Sequence, residues 1–378
     1  MKAYVYTDAS LERYAGRFVW LSINTENAKN AAFLKQYPIP ALPTLLVLDP
    51  KRDAVALRYV GGATVPQLTK LLDESERIYQ SRATSAADTA LTRADRLAAS
   101  GKQKDAAAVF EEAIAAAPRS WKSFGRTAES LIFAYSMSGD DERCATRALA
   151  LYPRVKGTAS APNVASTGLS CAASLDTKHA KRVELLRKLE EATRETFDNR
   201  KIVISDDDRS GLYQALIEAA DAQGEDEEVV RLKSEWSSFL EDAAARAKTP
   251  DQRTVYDSHR LTAYIELGTP EKAVPMLEQS ERDFPDDYNP PARLAYAYKE
   301  MKQYDLALAA SDRALARVYG PRKLAVYSVR ADIYVAKGDP KAAKETLAEA
   351  IAFAKSLPEG QRSEGRIAGL EKRLASMQ

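Results

Sequence analysis

Cysteine and histidine are scarce in this sequence of 378 residues, with 2 of each. Two cysteines, Cys144 and Cys171, are too few for a disulfide framework or a zinc site. We expect both to be small buried residues, because free cysteine is often fully buried; their spacing does not support a redox pair. His179 and His259 lie far apart, without acidic or cysteine neighbours at ligand spacing. We therefore assign no metal, no cofactor and no nucleophilic dyad.

Neither sign of charge dominates, and the apolar runs are short. There are 55 Lys and Arg against 54 Asp and Glu, a formal charge of +1. This balance predicts neither a nucleic-acid nor a membrane partner. An apolar run such as residues 45–48 is far below the roughly 20 residues of a membrane span, and no apolar signal segment follows Met1. We expect a cytoplasmic protein by default, and a periplasmic or secreted one if a signal segment precedes Met1.

A spaced pattern of small residues recurs along the chain. Its first copy consists of Gly101, Ala106, Phe110, Ala113 and Pro118. Related copies follow near Gly224, Gly268, Lys302 and Gly338, and Gly268 and Lys302 are 34 residues apart. From about Ser85 onward, apolar residues also recur at helical spacing, with breaks at Gly, Pro or Asp. The pattern resembles the tetratricopeptide repeat, a helix–turn–helix unit that must stack because it cannot bury its apolar face alone.

The resemblance implies an all-α solenoid of about six or seven helical hairpins. The match is good for units that start near Ala87, Thr254, Tyr288 and Leu324. The middle is irregular: we predict a loop over residues 154–165, followed by a hairpin of Ser166–Leu175 and His179–Asn199. The predicted segments of the solenoid are 85–153, 154–250, 251–358 and a capping helix at 359–378.

The same resemblance implies a peptide-binding groove lined by the first helix of each hairpin. The corresponding candidates are Ser258, Thr262, Glu266, Ala292, Tyr296, Lys299, Glu300, Ser328, Asp332 and Val335. Only Lys299 matches the Lys, Asn and Arg residues that clamp a C-terminal carboxylate in some tetratricopeptide domains. We therefore expect an extended or helical peptide, held by apolar contacts with a polar rim. Near the middle of the solenoid, the acidic run 206–208 is expected to cap a helix.

The first 80 residues predict a separate α/β domain, so the whole chain is a multidomain α/β plus all-α protein. The expected strands and helices are, in order, strand Phe18–Ile23, helix Asn27–Tyr37, strands Thr44–Leu48 and Ala54–Val60, and helix Val65–Gln80. Residues 39–45 (Ile-Pro-Ala-Leu-Pro-Thr-Leu) are similar to the strand entry of a thioredoxin domain with its cis-proline. The resemblance implies a cis bond between Leu42 and Pro43.

The resemblance is incomplete, because the first strand and the Cys-x-x-Cys motif of thioredoxins have no counterpart here. Met1–Tyr6 look like the tail of the helix that carries this motif. No cysteine lies in residues 1–80, so thiol–disulfide exchange is not expected there. The missing strand would lie between Phe18–Ile23 and Thr44–Leu48, and its loss leaves backbone groups unpaired. We hypothesise that the natural chain begins upstream of Met1.

Two functions follow from these patterns. The first is a non-enzymatic interaction scaffold that binds a protein or peptide partner in the solenoid groove, with a redox-inactive thioredoxin-like domain. The alternative is a thiol–disulfide oxidoreductase whose Cys-x-x-Cys lies upstream of Met1, in which Pro43 would shape the substrate groove and the backbone of Leu42 would pair with the substrate. The oligomeric state stays open.

Overall fold

A computed structural model describes residues 1–80 and 85–377, and most of them are helical. In order along the chain, the helices are α1 (Ala31–Gln36), α2 (Val65–Tyr79), α3 (Ala86–Ala99), α4 (Gln103–Ala116), α5 (Phe124–Met137), α6 (Asp141–Val155), α7 (Ala161–Ser174), α8 (Arg182–Asp198), α9 (Asp206–Gln223), α10 (Asp226–Ala245), α11 (Pro250–Thr254), α12 (Asp257–Glu266), α13 (Ala273–Asp283), α14 (Asn289–Glu300), α15 (Tyr304–Arg317), α16 (Lys323–Lys337), α17 (Pro340–Ser356) and α18 (Glu364–Ala375). Two strands, β1 (Thr44–Asp49) and β2 (Ala54–Val60), pair antiparallel.

The chain forms two compact units. The first contains residues 1–18 and 39–232, and the second contains residues 19–38 and the chain from Lys233 onward. The predicted segmentation placed residues 19–38 with the rest of the front of the chain, whereas their contacts lie in the second unit.

Most helices pair with the next one along the chain as hairpins. Contacting pairs are α3–α4, α5–α6, α7–α8, α12–α13, α14–α15 and α16–α17. In addition, α9 and α10 follow each other across a turn at Gly224, which has φ 73°. The expectation of six or seven hairpins is therefore confirmed for the described residues. Their tetratricopeptide-like arrangement buries small residues such as Ala273, Ala307 and Ala343 between the helices.

The turns inside the hairpins depend on a left-handed residue after the first helix. Gly338 ends α16 with φ 83°, and the Asp339 carboxylate then accepts a 3.0 Å bond from the Ala342 amide to start α17. The equivalent turn between α14 and α15 has Lys302 in this conformation, with φ 59°. A side chain makes that conformation cost roughly 1–2 kcal/mol. The turn at Lys302 is thus built with strain that glycine would avoid.

A small mixed layer lies at the front of the first unit. β1 and β2 pair from Thr44 with Val60 to Asp49 with Ala54, with an irregularity at Val47 and Leu48. Apolar side chains of β2 and α2 share one core with the start of the chain: Val5, Tyr14, Leu57, Tyr59, Ala63, Leu68, Leu71 and Leu72. The predicted strands 44–48 and 54–60 and the helix from Val65 are confirmed. The Leu42–Pro43 bond is cis.

Other predictions for the front of the chain are wrong. Phe18–Ile23 has no strand, and Val19 and Leu21 are 89% and 75% exposed. A strand needs a neighbour for its backbone hydrogen bonds, and the described sheet pairs only β1 with β2. Met1–Tyr6 forms turns and not a helix. With one two-stranded sheet in the described residues, a thioredoxin-like fold is not confirmed.

Residues 24–37 pack against the C-terminal part of the second unit, to which they belong. The predicted helix Asn27–Tyr37 lies in this segment and is present as a 3₁₀ turn followed by α1. The Asn24 amide donates to the Tyr319 hydroxyl at 2.7 Å, and the Gln361 amide donates to the Thr25 carbonyl at 2.7 Å. Backbones approach closely at Gly360, where an added Cβ would lie 1.9 Å from the Ala31 carbonyl oxygen. This glycine therefore has a steric role in seating the segment.

The middle of the chain is more regular than its sequence predicts. The predicted loop over 154–165 is wrong, because α6 extends to Val155 and α7 already begins at Ala161. Pro162 suggested a break in the chain, but it lies in the first turn of α7, where a missing N–H removes no helical bond. The connection between α6 and α7 is consequently short.

The two cysteines are joined, which corrects the expectation that both are free. Cys144 on α6 and Cys171 on α7 form a disulfide with a Cα–Cα distance of 6.1 Å. Both are buried as predicted, at 0% and 3% exposure. The short turn between the two helices brings cysteines 27 residues apart face to face. Gly168 lets the helices approach, because a Cβ there would lie 2.3 Å from that of Ala148.

Candidate functional site

Two surfaces made by the first helices of the hairpins are the candidate sites. The C-terminal face is formed by the accessible side chains of α12, α14 and α16, where α12 contacts α14 and α14 contacts α16. All predicted groove residues lie on these three helices: Ser258, Thr262, Glu266, Ala292, Tyr296, Lys299, Glu300, Ser328, Asp332 and Val335. The N-terminal face is formed in the same way by α3, α5, α7 and α9.

Tyr296 is the prominent aromatic residue of the C-terminal face, at 38% exposure. The Lys299 ammonium lies 4.9 Å from the centre of its ring, and the same ammonium pairs with Glu300 at 2.6 Å. Cation–π contacts at such exposed sites contribute about 0.5–1 kcal/mol. The arrangement places one aromatic ring and two opposite charges within one helical turn.

The two other charged residues among the predicted groove candidates are paired. Glu266 lies 3.5 Å from the Lys233 ammonium of α10, and Asp332 pairs with Arg373 of α18. Val335, 49% exposed, adds apolar surface beside Asp332. The result is an aromatic and aliphatic surface with a neutralised polar rim.

Three predicted residues contribute little to this surface. Thr262 donates to the Ser258 carbonyl at 3.1 Å, and Ser328 donates to the Leu324 carbonyl at 2.9 Å, so both hydroxyls bond their own helix. Ala292 packs against a core cluster that contains Val318. Ala292 is therefore mainly a packing residue, because helix α15 and the start of α16 cover it.

The N-terminal face is covered by β2 of the same chain. Arg96 of α3 donates to the Val55 carbonyl at 3.0 Å, and Arg126 of α5 donates to the Arg58 carbonyl at 3.3 Å. Each guanidinium thus holds a main-chain oxygen of the strand. Val55 is therefore bound by the first helix of one hairpin, and Arg58, three residues further along β2, is bound by the first helix of the next hairpin.

The contacts continue beyond the strand toward α9. The Tyr59 hydroxyl lies 3.2 Å from the Gly62 carbonyl oxygen and 3.4 Å from a carboxylate oxygen of Glu129 of α5, so its single hydrogen is shared between these two acceptors. A Cβ at Gly62 would lie 3.7 Å from a carboxylate oxygen of Asp207 and 3.8 Å from the Ser205 hydroxyl. The segment from Val55 to Gly62 therefore follows the row of first helices from α3 to α9.

Two carboxylates meet beneath this segment. The Asn163 amide of α7 donates to Glu129 at 3.2 Å and also bonds Asp208 of α9. Burial, with a smaller contribution from the nearby Asp208, raises the pKa of Glu129 to about 7. Burial likewise raises the pKa of Asp208 to about 6, with Asp207 adding to the rise. Near neutral pH this pair is poised to hold or release protons.

The sequence predicted only part of this arrangement. Ser205 and Asp208 form the expected helix start, with reciprocal side-chain caps, but the burial of Asp208 was missed. No local signal marked Glu129, which is half-buried and lies between Ala128 and Ser130. Buried carboxylates are rare unless they are paired or protonated.

A second buried network fastens β2 and α2 to the solenoid. Arg126, 7% exposed, pairs with Asp95 of α3 at 2.8 Å and with Glu74 of α2 at 2.7 Å. The Ser123 hydroxyl donates to the same Glu74 carboxylate at 3.0 Å. Replacing Arg126 would leave Asp95 and Glu74 without the cation that both of them share.

In residues 1–80 and 85–377, no group of three or more His, Cys, Asp or Glu side chains is arranged to hold a metal ion. The His259 ring packs against Trp236, with 5.9 Å between ring centres, and His179 lies 3.5 Å from Glu142. No helix in the described part of the chain has the length and apolarity of a membrane span.

Comparison with known proteins supports the repeat in the last third of the chain. Residues 288–356 match the family model of the tetratricopeptide repeat, so α14–α17 carry this repeat. The comparison with curated proteins found no match.

The comparison with solved structures returned tetratricopeptide proteins. One from Parabacteroides merdae is 9% identical, with 77% of this chain and 99% of that chain covered and a TM-score of 0.48. A protein of Thermus thermophilus is 16% identical, with 77% and 98% covered and a TM-score of 0.26. The TPR2AB domain of yeast Sti1, in complex with pHSP90, is 15% identical, with 76% and 98% covered and a TM-score of 0.28.

Proposed function

We propose that this protein is a non-enzymatic interaction scaffold whose C-terminal face binds an extended or helical segment of a partner protein. Proteins with tetratricopeptide repeats generally serve as protein–protein interaction scaffolds, and the repeat is matched over residues 288–356. The C-terminal face lies partly within this stretch.

The observation that carries the proposal is the accessible cluster around Tyr296. An exposed aromatic ring beside a cation and a carboxylate gives both apolar area and polar contacts, the combination that is typical of peptide-binding surfaces. The N-terminal face lacks this accessibility because Tyr59 of β2, 5% exposed, lies over it. The C-terminal face is therefore the better candidate for an external segment.

The charges of this face disfavour recognition of a free C-terminal carboxylate. Lys299 is paired with Glu300, and Arg373 is paired with Asp332. A carboxylate ligand would have to compete with each of these internal partners. We therefore expect an internal segment of the partner, held by its apolar side chains.

Affinity capture with the full chain tests this proposal. The variant Tyr296→Ala/Lys299→Glu/Glu300→Lys removes the ring and reverses both charges, and we expect it to lose the specific partners that the unchanged protein enriches. The matched control is Leu306→Ala, which removes an apolar side chain of comparable exposure, 51%, from the second helix α15. Quantitative mass spectrometry compares the captured proteins. If the triple variant enriches the same proteins as the unchanged chain, the C-terminal face is not the binding surface.

We further propose that the protein works in an oxidising compartment. The supporting observation is the buried Cys144–Cys171 disulfide, because such bonds persist mainly in secreted, periplasmic or luminal proteins. Alkylation of free thiols in intact cells, before lysis, measures the redox state in place. Full alkylation of both cysteines without prior reduction would support the cytoplasmic alternative.

A further inference from the structure

The segment from Tyr59 to Gly62 lies on a carboxylate pair that has no cation for a partner. Among the described residues neither Glu129 nor Asp208 takes part in an ion pair; each is bonded by neutral donors, including Asn163, which bonds both. Tyr59 completes the cluster through its 3.4 Å bond to Glu129. A single amide therefore links two acids directly beneath the strand end.

The charges that face the pair do not neutralise it. From α9 comes another carboxylate, Asp207, and from β2 comes the Tyr59 phenol, whose pKa burial raises. The cation of α5, Arg126, is engaged by Asp95 and Glu74. The α7 side chains that bond the pair, Ser160 and Asn163, are uncharged. β2 also carries the buried Arg58, whose guanidinium lies 5.8 Å from the centre of the Phe133 ring of α5. Among the described residues, neither Arg58 nor another cation forms an ion pair with the two carboxylates.

We propose that the seat of Tyr59–Gly62 on the N-terminal face is a proton-controlled latch, closed while Glu129 or Asp208 holds a proton and loosened when both are ionised. With one proton present, the amide of Asn163 bonds two acids that carry a single negative charge. Loss of that proton places like charges in a site where Glu129 is half-buried and Asp208 is buried, and there they repel more strongly than in water. Solvation of both carboxylates then requires Tyr59 and the Gly61–Gly62 backbone to move away.

The pH range follows from the two carboxyl groups. Burial raises the pKa values to about 7 at Glu129 and about 6 at Asp208. The native state therefore binds more protons than the unfolded state between about pH 4, where carboxyls normally titrate, and about pH 7. The seated form loses stability as pH rises through this range, and the loss is complete above the folded pKa of Glu129.

Hydrogen–deuterium exchange of the full chain tests the latch. Protection of the segment 59–64, corrected for the intrinsic pH dependence of exchange, is expected to fall about tenfold or more between pH 5.5 and pH 8, one pKa unit of interaction being worth a factor of 10. The α14–α15 hairpin is the internal reference, since nothing in this mechanism alters it. Equal protection of the segment at both pH values would overturn the proposal.

Neutral variants separate the latch from general alkaline loosening. Glu129→Gln/Asp208→Asn keeps the side-chain shapes but carries no charge, and protection of the segment is expected to be the same at both pH values. The control Asp221→Asn, at an exposed position of α9, is expected to keep the full drop. Should the double variant misfold by circular dichroism, each single substitution is expected to remove most of the drop, because one neutral side chain leaves at most one negative charge at the pair. A wild-type drop in the double variant, or in both single variants, contradicts the mechanism.

Discussion

Cys144 of α6 and Cys171 of α7 are cross-linked although they belong to different hairpins. The bond fastens the second helix of one hairpin to the first helix of the next, so it braces the stacking of repeats and not the inside of one repeat. The stretch it closes is the one with the most irregular sequence. The cross-link therefore stabilises stacking where the repeat pattern is weakest.

Removing this bond is expected to destabilise the first unit. Cys144→Ser/Cys171→Ser frees a loop with a sequence separation of 27 residues, which in the chain-entropy model costs about 3–4 kcal/mol. Urea unfolding measures the change. The unchanged protein in reductant is the control and should approach the variant. A variant as stable as the oxidised protein would show that the bond is absent or without effect.

Glycine at residue 302 is expected to stabilise the second unit. Lys302 holds φ 59° with its amide bonded to the Lys299 carbonyl at 2.9 Å. Lys302→Gly removes the left-handed penalty and should raise the free energy of unfolding by up to about 1 kcal/mol, part of the gain being offset by backbone entropy. The reverse change, Gly338→Lys, should lower the free energy of unfolding, because φ is 83° at this position. No atom lies within 4 Å of an added Cβ, so the backbone conformation and not a steric clash is the cause. Thermal unfolding of both variants measures these changes. A lower melting temperature for Lys302→Gly, or a higher one for Gly338→Lys, would refute the strain argument.

A methyl group at Gly360 should release residues 24–37 from the second unit. The Cβ of Gly360→Ala would lie 1.9 Å from the Ala31 carbonyl oxygen and 2.8 Å from the Lys35 nitrogen. We expect faster hydrogen exchange and faster proteolysis within residues 24–37. Gly369→Ala is the matched control, because its added Cβ meets no atom within 4 Å. If both variants behave alike, the close approach at Gly360 does not hold the segment.

Glu228 should stabilise the fold in a pH-dependent way. Hydrogen bonds from Arg231 and then Arg194 lower the pKa of this carboxyl to about 2 against the effect of burial. A depressed folded pKa means that the contribution is fully present above about pH 4.5 and is lost as pH falls toward 2. Glu228→Gln should therefore cost about 1–2 kcal/mol at pH 7. The difference from the unchanged protein should vanish near pH 2.

Denaturation at several pH values measures this difference. Glu227→Gln, an exposed neighbour in the same turn of α10, is expected to show little effect. A difference for Glu228→Gln that stays constant from pH 7 to pH 2 would contradict the ion-pair explanation.

The buried pair of Arg126 and Asp95 should show strong coupling. Arg126→Met leaves Asp95 and Glu74 without their cation, which typically costs about 3–5 kcal/mol. The double variant Arg126→Met/Asp95→Asn should lose less stability than the sum of the two single variants. The carboxylate that then remains without a cation is Glu74, whose side chain is 14% exposed and can contact water. A double-mutant cycle from denaturant unfolding measures the coupling. Additive changes would mean that the pair is not coupled in the folded protein.

The repeats were predictable because their signals are local. Helical spacing of apolar residues, a left-handed turn residue at Gly338 and the Asp339 cap act within a few neighbours. The same holds for Thr44–Asp49 and for the capping box of Ser205 and Asp208, since each depends on hydrogen bonds within one element or one pair of elements.

Contacts between distant segments were not predictable in this way. The covering of the N-terminal face by Val55–Gly62 depends on residues about 40 to 150 positions apart, such as Tyr59 with Glu129 and Gly62 with Asp207. The exposed Val19–Ile23 shows the converse error: its β-propensity is high, but propensity forms no strand without a pairing partner.

By itself, the sequence predicted the helical hairpins and the strands at Thr44–Leu48 and Ala54–Val60, and it proposed Tyr296, Lys299 and Glu300 as groove positions on a first helix. Local hydrogen bonding and apolar periodicity suffice for that much. Only the tertiary structure decided which first-helix face is covered, which carboxylates are buried together, and that Cys144 meets Cys171. These outcomes depend on which distant surfaces come together and exclude water. Because the hydrophobic effect is non-directional, the sequence pattern of one segment does not specify which other segment will cover it.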